Sequence, residues 1–410
     1  MKWATYTMQE LINEISMGPF GSDIKKSVYT NSGVPVLNGA NLQGFTLKEN
    51  TFGYVSEEKA DSLKKCNAHR GDIIVTHRGT LGQIVYIPNN SLFERYVISQ
   101  SQFRFNLKPE LARAEFIVYY FHTREGQYKI LSNASQVGVP ALARATTTFR
   151  QLEVKVPPLP VQDKIVGILS ALDSKIENNN KINANLEAQA EALFKSWFVD
   201  FTPFKDQPFV DSELGSIPQG WKVGKLGDYC ETICRGLTPK YNLDSKEIVL
   251  GQTCVRNNIV TLNNARKHQP KGKTEKKVQQ WDTLINSTGI GSLGRVGIVY
   301  FDYNYVSFDS HITVVRATNP LLRPYIGRNL VSRQLEIENL AIGSTGQTEL
   351  PRESVKSITL YIPTKKVLES FNCIIKPLSL KILKNIQENQ RLAALRDTLL
   401  PKLMSGEIKL

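Results

Sequence analysis

The sequence repeats one heptad pattern twice, 206 residues apart. Mostly apolar residues recur at alternating steps of four and three from position 165 to 197, and again from 371 to 403, where Arg396 occupies one step of the second copy. Both copies are interrupted by asparagine at the same two steps: Asn179 and Asn183 in the first copy, Asn385 and Asn389 in the second. This spacing predicts two helices that pair along a coiled-coil seam. A solvated linker has no reason to repeat asparagine at matching positions, although an amphipathic helix packed on a core is an alternative.

The order of the segments predicts how the two helices pair. The first helix leads from one globular stretch to the next and the second follows the second stretch, so the pair is expected to be antiparallel. Under a pseudo-twofold axis Asn179 then pairs with Asn389, and Asn183 with Asn385. Buried amides lower stability but penalise slipped registers, because a slip places amides against leucine. We predict that the four asparagines set the register, and that Asn183→Leu raises thermal stability while permitting an altered register.

The length of the helices predicts a fixed separation of the globular stretches. A helix over about residues 161–199 would span roughly 55–60 Å at ~1.5 Å per residue. Proline lacks the N–H that a helix interior needs. Pro377 is therefore expected to kink or delay the second helix, and Pro401 is expected to end it.

The stretch before each helix belongs to the same repeat. "GDIIVTHRGTLGQIVYI" (71–87) matches "WDTLINSTGIGSLGRVGIVYF" (281–301), and Trp3 matches Trp221. Short alternating apolar runs predict strands, while the amphipathic segments at 112–131 and 321–340 predict helices. The predicted fold class is α+β, with two pseudo-repeated globular α/β domains separated by a long antiparallel two-helix coiled coil. The predicted boundaries are 1–157 for the first globular domain, 158–202 for the first helix, 203–362 for the second globular domain, and 363–410 for the second helix and tail.

Charge and cysteine usage narrow the class of protein. The formal net charge is +13 with a pI near 9.3, and both globular stretches are basic. This balance suits a polyanionic partner, chiefly nucleic acid, but is also found in merely soluble proteins. The five cysteines form no CxxC pair and the five histidines are dispersed, so we expect reduced thiols, no metal site and a cytoplasmic protein. No apolar run long enough to span a membrane is present, and the first residues lack the zones of a signal peptide.

Three segments carry a family resemblance: "SELGSIPQGW" (212–221), "LFKSWFVDFTPF" (193–204) and "LLPKLMSGEIKL" (399–410). With the duplicated layout, the chain resembles the specificity (S) subunit of a type I restriction–modification enzyme over essentially its full length. The first copy departs from the pattern, because it starts directly at Trp3 without an IPxGW-like opening. The pattern therefore does not predict whether the first element of this copy is a strand or a helix.

The resemblance implies a non-catalytic protein that recognises DNA. Two target recognition domains would each read one half of a split, asymmetric target in double-stranded DNA, and the helices would set the unread spacer. Two modification (methyltransferase) subunits would dock on the helices, and motor–nuclease restriction subunits would complete the complex. The resemblance implies no cofactor on this chain. The partner subunits would use S-adenosylmethionine, and ATP with magnesium for restriction.

The residues themselves also predict no catalytic site. "GIGSLG" (289–294) has the spacing of a dinucleotide fingerprint, but "RVGIVYF" follows it, which predicts a strand where that motif needs a helix. We predict a glycine-rich hairpin or loop. No NPPY-like or DPPF-like run of a base methyltransferase occurs, nor a nucleophile elbow or HExxH. Two alternatives remain open, namely a coiled-coil adaptor that assembles proteins without a DNA role, and a standalone methyltransferase–nuclease.

Candidate DNA-contacting residues are polar or basic side chains in loops that correspond between the two copies. Arginine and lysine suit phosphates and guanine edges, while asparagine and glutamine suit adenine, and all of them need exposed or flexible placement. The candidates in the first domain are Lys25, Lys26, Asn38, Asn41, His77, Arg78 and Arg144. Those in the second domain are Arg235, Lys240, Gln252, Arg256, Arg295 and Gln347.

Overall fold

A computed structural model describes residues 3–132, 134–135, 138–270, 276–343 and 348–410. The chain forms two compact units. Unit 1 comprises residues 1–176 and 390–410, and unit 2 comprises residues 177–389. Each unit therefore includes part of both long helices. The domain boundaries given above, which separate globular from helical segments, stay predictions.

Unit 1 contains short strands and short helices before the first long helix. Its strands are β1 (Ala4–Thr7), β2 (Ile12–Met17), β3 (Tyr29–Thr30), β4 (Val34–Val36), β5 (Gly53–Val55), β6 (Asn67–His69), β7 (Ile73–Thr76), β8 (Ile84–Tyr86), β9 (Arg95–Val97), β10 (Gln102–Leu107), β11 (Ala134–Ser135), β12 (Ala141–Leu142) and β13 (Glu153–Val156). Its short helices are α1 (Met8–Leu11), α2 (Glu57–Ser62), α3 (Ala114–His122), α4 (Arg124–Leu131) and α5 (Ala145–Arg150). The first long helix, α6, runs from Leu159 to Phe198.

Unit 2 repeats this arrangement. Its strands are β14 (Phe209–Ser212), β15 (Gly215–Pro218), β16 (Lys222–Lys225), β17 (Cys230–Arg235), β18 (Ile248–Leu250), β19 (Val255–Arg256), β20 (Asn258–Val260), β21 (Arg266–Lys267), β22 (Thr283–Asn286), β23 (Val296–Ile298), β24 (Val306–Phe308), β25 (Ile312–Ala317) and β26 (Thr359–Ile362). Its short helices are α7 (Leu322–Ser332), α8 (Gln334–Asn339) and α9 (Arg352–Lys356), and the second long helix, α10, runs from Lys365 to Met404.

In each unit a central sheet separates two hydrophobic cores. The sheet order is β2-β10-β7-β8 in unit 1, and the six-stranded sheet of unit 2 begins β17-β25-β22-β23. Strand β7 is buried along its whole length: Ile73 and Val75 join the core that contains α3, while Ile74 joins the core of the second sheet, β3-β5-β4-β9-β6. Side chains alternate across a strand, so an uninterrupted apolar run is what a strand packed on both faces needs.

The predicted internal repeat is confirmed down to the strand register. Strand β1 pairs with β13 so that Ala4 lies opposite Val156, and β16 pairs with β26 so that Lys222 lies opposite Ile362. The first element of the first copy is therefore a strand, placed as in the second copy. Trp3 and Trp221 both precede this strand, and each contacts the segment that ends a long helix. A side chain at Gly406 would lie 3.1 Å from Trp3 Nε1, and the rings of Phe201 and Trp221 lie 5.6 Å apart.

The long helices are antiparallel, as predicted. Within unit 2, Asn179 is hydrogen-bonded to Asn389 and Asn183 to Asn385, so positions that advance along α6 meet positions that recede along α10. Two expectations for the prolines are wrong, namely a late start of the second helix at Pro377 and its end at Pro401, whereas a kink at Pro377 stays a prediction. Helix α10 begins at Lys365, well before Pro377, and continues through Pro401 to Met404. Each proline removes a single backbone donor, and the carbonyl of Pro401 still accepts the Ser405 N–H at 3.0 Å.

No helix in the described ranges is both long and apolar enough to cross a membrane. The glycine-rich segment at 289–294 joins β22 to the antiparallel strand β23, as predicted for a hairpin loop. Three glycines of this loop have positive φ values, which residues with a Cβ rarely adopt: +94° at Gly289, +71° at Gly291 and +82° at Gly294.

Candidate nucleic-acid interface

In unit 1 three loops are joined by backbone hydrogen bonds around His77. The His77 N–H donates to the Ser101 carbonyl at 2.9 Å, and the Leu142 N–H donates to the His77 carbonyl at 2.8 Å. A further bond joins the Gly79 N–H to the Pro140 carbonyl at 2.8 Å. The predicted candidates His77, Arg78 and Arg144 are thereby carried by a single loop cluster, in which Arg78 and Arg144 are exposed.

The loop that carries Lys25 and Lys26 is anchored to the same cluster. Its Gly18 N–H donates to the Gln102 carbonyl at 2.8 Å. A Cβ at Gly18 would lie 2.0 Å from the Ser99 carbonyl oxygen, so only glycine permits this approach. Lys25 and Lys26 are exposed, as their assignment requires. Their ammonium groups are therefore available to phosphates.

The third candidate loop of unit 1 contains two asparagines with different environments. Asn38 is exposed, and the Gln83 amide fixes its loop by donating to the Gly39 carbonyl at 3.0 Å. Asn41 has no exposed surface. Its amide nitrogen donates to the carbonyls of Lys48 and Thr51, and its oxygen accepts the Asn38 N–H. The prediction of an exposed Asn41 is therefore wrong, because its side chain is consumed in shaping the loop.

Burial affects the protonation of His77. Desolvation lowers its pKa, and Arg78 acts in the same direction, while hydrogen bonding to backbone carbonyls opposes the shift. Its Nε2 lies 3.2 Å from the Gln100 carbonyl. The ring is therefore neutral near pH 7 and adds hydrogen-bonding capacity, rather than charge, to the surface around Arg78.

Unit 2 builds the same loop cluster from a different sequence. The Ser287 N–H donates to the His311 carbonyl and the Leu350 N–H donates to the Ser287 carbonyl, both at 2.8 Å. Gly236 anchors its loop through a 3.1 Å bond to the Ile312 carbonyl. These bonds repeat those that join the loops of unit 1, so the two units present matched loops with unlike side chains.

The predicted candidates of unit 2 fall into two groups. Lys240 and Arg256 are exposed, whereas three others are held by the protein. Gln252 donates its amide to the Thr288 carbonyl, and Arg295 donates to the Gly291 carbonyl at 2.6 Å. Arg235 pairs with Glu349 at 2.7 Å and also donates to the carbonyls of Leu350 and Ser310. It therefore fixes loops, contrary to the expectation of a flexible side chain. Gln347 lies outside the described residues.

One exposed arginine in the matched loops was missed by the sequence reasoning. Leu142 and Leu350 occupy equivalent places in the hydrogen-bond pattern, and two residues further on lie Arg144 and Arg352. Both arginines are exposed and stand at the start of a short helix, α5 or α9. Extending the repeat alignment to these helices would have identified Arg352.

The predicted asparagine layers are built from one buried and one half-buried amide each. Asn179 and Asn385 are both 1% exposed. Asn179 donates to Asn389 Oδ1 at 2.9 Å and Asn385 donates to Asn183 Oδ1 at 2.8 Å. The amide of Asn389 in turn donates to Asn180 Oδ1 at 2.9 Å. The buried amides thus have acceptors in this register, and their role in enforcing it stays a prediction.

The described residues contain no group of three or more histidine, cysteine, aspartate or glutamate side chains that could hold a metal ion. The chain is thus a duplicated protein, in which each unit repeats one loop scaffold, presents exposed basic side chains and differs from the other unit in the side chains of its loops.

Comparison with known proteins identifies the family. The model of the type I restriction modification DNA specificity domain matches residues 2–188 and 218–392. The chain is 27% identical over 368 residues to the specificity subunit of the type I restriction enzyme MjaIX of Methanocaldococcus jannaschii, covering 86% of this chain and 81% of the relative. It is 23% identical over 422 residues to the HindI specificity subunit of Haemophilus influenzae, covering 83% and 87% respectively. The crystal structure of the type I restriction–modification S subunit from M. genitalium shares the fold, with a TM-score of 0.61 at 17% identity over 98% of this chain and 96% of that one.

The chain therefore belongs to the type I restriction–modification DNA specificity family. Its function is that of a specificity subunit, which recognises DNA sequence for a type I restriction–modification system.

Proposed function

We propose that each unit reads one half of a bipartite, asymmetric target in double-stranded DNA through its loop cluster. The repetition of the same interloop hydrogen bonds around His77 and around Ser287, with different side chains in the surrounding loops, carries this proposal. Equivalent scaffolds would let the two units contact DNA in the same way, and unlike side chains would make the two half-sites differ in sequence.

The chain itself would perform no chemistry and would act by positioning other subunits. Two modification (methyltransferase) subunits would bind it and supply S-adenosylmethionine chemistry, and motor–nuclease restriction subunits would add ATP-driven and magnesium-dependent cleavage. The paired helices would set the unread spacer between the half-sites. The MjaIX and HindI relatives bear the name of specificity subunits of type I restriction enzymes, which supports this division of labour. A cytoplasmic location is part of the same proposal.

The experiment that tests this function maps methylated sites across the genome of cells that express the modification subunit. Cells that carry the gene for this chain are compared with cells from which it has been removed. The expected result is a single split motif, lost when the gene is removed. A motif that persists without the gene, or a continuous motif without a spacer, would contradict the proposal.

Duplex binding in vitro separates this function from that of a protein-assembly adaptor. Each phosphate neutralised by lysine or arginine contributes about −0.9 to the slope of log K against log salt. A DNA-reading complex should therefore lose affinity steeply between about 50 and 200 mM salt. An adaptor without a DNA role would show no such dependence when the modification subunit is present.

A further inference from the structure

Arg266 differs from most arginines of unit 2, because no ion pair ties its guanidinium to a carboxylate in the described part of the chain. The side chains of Arg235, Arg316 and Arg328 form ion pairs with Glu349, Asp282 and Glu187. Arg266 is exposed, and within the described residues its guanidinium makes no hydrogen bond or ion pair. It stacks instead on Tyr241, with its central carbon 4.1 Å from the ring centroid. A cation–π contact of this kind restricts the movement of the guanidinium, and the exposed side chain keeps N–H donors accessible to a ligand.

Backbone pairing holds both members of this stack. Strand β21 pairs with β18, with Arg266 opposite Val249. On its other side, the segment around Tyr241 bonds to the continuation of β21. The Gln269 N–H donates to the Lys240 carbonyl at 2.8 Å, and the Asn242 N–H donates to the Lys267 carbonyl at 3.2 Å. The backbones of both residues are thus fixed by neighbouring strands, and the cation–π contact holds the guanidinium over the ring.

The stack adjoins the candidate interface of unit 2. A Cβ at Gly251 would lie 3.7 Å from Arg266 Nη2. Gly251 precedes Gln252, whose amide donates to Thr288 at the start of the glycine-rich loop. Asp309 also faces Gly251. Burial raises the pKa of its carboxyl, and the positive charge of Arg266 opposes that shift. Within the described residues no ion pair joins the two side chains, and the Asp309 carboxylate accepts the His311 N–H at 3.0 Å.

Unit 1 contains the same site without the arginine. Tyr29 lies opposite Val55 in β3 and β5, and Gly53 lies opposite Val36. In unit 2, Tyr241 lies opposite His268, and Arg266 lies opposite Val249. The tyrosine is retained, and Gly53 takes the place of Arg266. A Cβ at Gly53 would lie 2.5 Å from Tyr29 Cε1, so the ring covers a position that admits no side chain.

We propose that Arg266 reads a guanine in the half-site bound by unit 2, with Tyr241 as its positioning residue. The fork of the guanidinium matches guanine O6 and N7 in the major groove, which is the commonest specific contact between a protein and DNA. A stacked arginine loses little conformational freedom on binding, so the stack favours base reading over a loose phosphate contact. This inference rests on the proposed function and adds to it a residue that determines specificity. It also implies that the half-site of unit 1 has no matching guanine contact at the equivalent position.

The test uses the full chain in complex with its modification subunit and a library of duplexes randomised around the mapped target. Bound duplexes are sequenced for the wild type and for Arg266→Ala, Arg266→Lys and Tyr241→Leu. Arg266→Ala should reduce discrimination at one G·C pair of one half-site by about tenfold to about a hundredfold, while leaving the spacer and the other half-site unchanged. Arg266→Lys retains the charge and loses the fork, so it should relax the same position. Tyr241→Leu should relax that position to a smaller extent.

The neighbouring substitution Lys267→Ala is the matched control. It removes one charge from the same strand, where the ammonium donates to the Leu243 carbonyl at 2.9 Å, and it leaves the stack in place. This variant should keep every base preference. Thermal unfolding of each variant checks that the sheet edge remains folded.

Two results would overturn the inference. Arg266→Ala could leave every base preference unchanged while it lowers the affinity for all sequences and makes the salt dependence shallower. That result would show that Arg266 contacts a phosphate. Unchanged binding would leave it solvated. If the wild-type complex itself selects no sequence, the proposed function fails, and this outcome is distinguishable from both of the others.

Discussion

Substitution of Asn183 tests how the central amide layers contribute to stability. In the structure Asn183 is half-buried and accepts a hydrogen bond from Asn385, which is 1% exposed. Asn183→Leu therefore leaves a buried amide donor without its acceptor, which costs about 1–3 kcal/mol. The leucine recovers only part of this, because its position is partly open to solvent. From this geometry we expect the opposite of the sequence-based prediction, in which the substitution raises thermal stability.

We expect Asn183→Leu to lower the midpoint temperature of unfolding, Tm. The double variant Asn183→Leu/Asn385→Leu should return Tm to the value of the wild type or above it. At about 2–4 °C per kcal/mol for a unit of this size, the single substitution should lower Tm by roughly 2–10 °C. The double substitution removes both polar groups, which is near neutral or stabilising. Asn178→Leu, at an exposed position on the same helix, controls for the better helix propensity of leucine.

Thermal and urea unfolding of the wild type, Asn183→Leu, Asn385→Leu and the double variant completes a double-mutant cycle. The hydrogen-bond argument requires a coupling of about 0.5–3 kcal/mol between positions 183 and 385. A substitution at position 183 that behaves like Asn178→Leu, or additive effects in the double variant, would refute it.

Three further predictions follow from charge and burial. Arg316→Met leaves the fully buried Asp282 carboxylate without the cation of its ion pair. Urea denaturation should show a free energy of unfolding that is lower by about 3–5 kcal/mol. A loss below about 1 kcal/mol would contradict this prediction. Burial lowers the pKa of His122, so the unfolded chain binds more protons and the free energy of unfolding should fall as the pH drops through about 6.5. His122→Gln should weaken this dependence on pH between about pH 7.5 and 5.5. An unchanged slope of the free energy of unfolding against pH would exclude His122 as its cause. Alanine at Lys25 and Lys26 should weaken duplex binding for all sequences and reduce the salt slope by up to about 2, whereas an altered base preference would contradict phosphate contact.

The fold was predictable because its signals repeat along the chain. The heptads with matched asparagines predicted the antiparallel helices and their pairing partners, and the matched segments at 71–87 and 281–301 predicted equivalent hairpins. Pro377 and Pro401 misled the helix boundaries because each removes only one donor from a helix that long-range packing stabilises. The side chain of Ile375, within the same helical turn as Pro377, is 1% exposed in the core of unit 2.

The reading residues were harder to predict, because loop chemistry does not distinguish a side chain that shapes a loop from one that faces solvent. Asn41 and Asn38 stand in the same short motif, yet one is fully buried and the other exposed. Arg235 has the residue type of a DNA contact, but a distant glutamate in the sequence, Glu349, pairs with it. Arg266 follows no motif at all. Its distinction arises from the ring of Tyr241, 25 positions earlier in the chain, which only the folded sheet places beneath it.

The composition of unit 1 from two distant segments has a consequence for biosynthesis. Leu400, Leu403 and Met404 complete the core around Ile165 and Leu169, although more than 200 residues separate them in the sequence. A nascent chain on the ribosome holds the whole of unit 2, residues 177–389, before the last segment of unit 1 has been translated. The part of this core that Leu400, Leu403 and Met404 cover must therefore stay exposed while an entire second unit is made, which leaves this intermediate prone to aggregation and to mispairing with another helix.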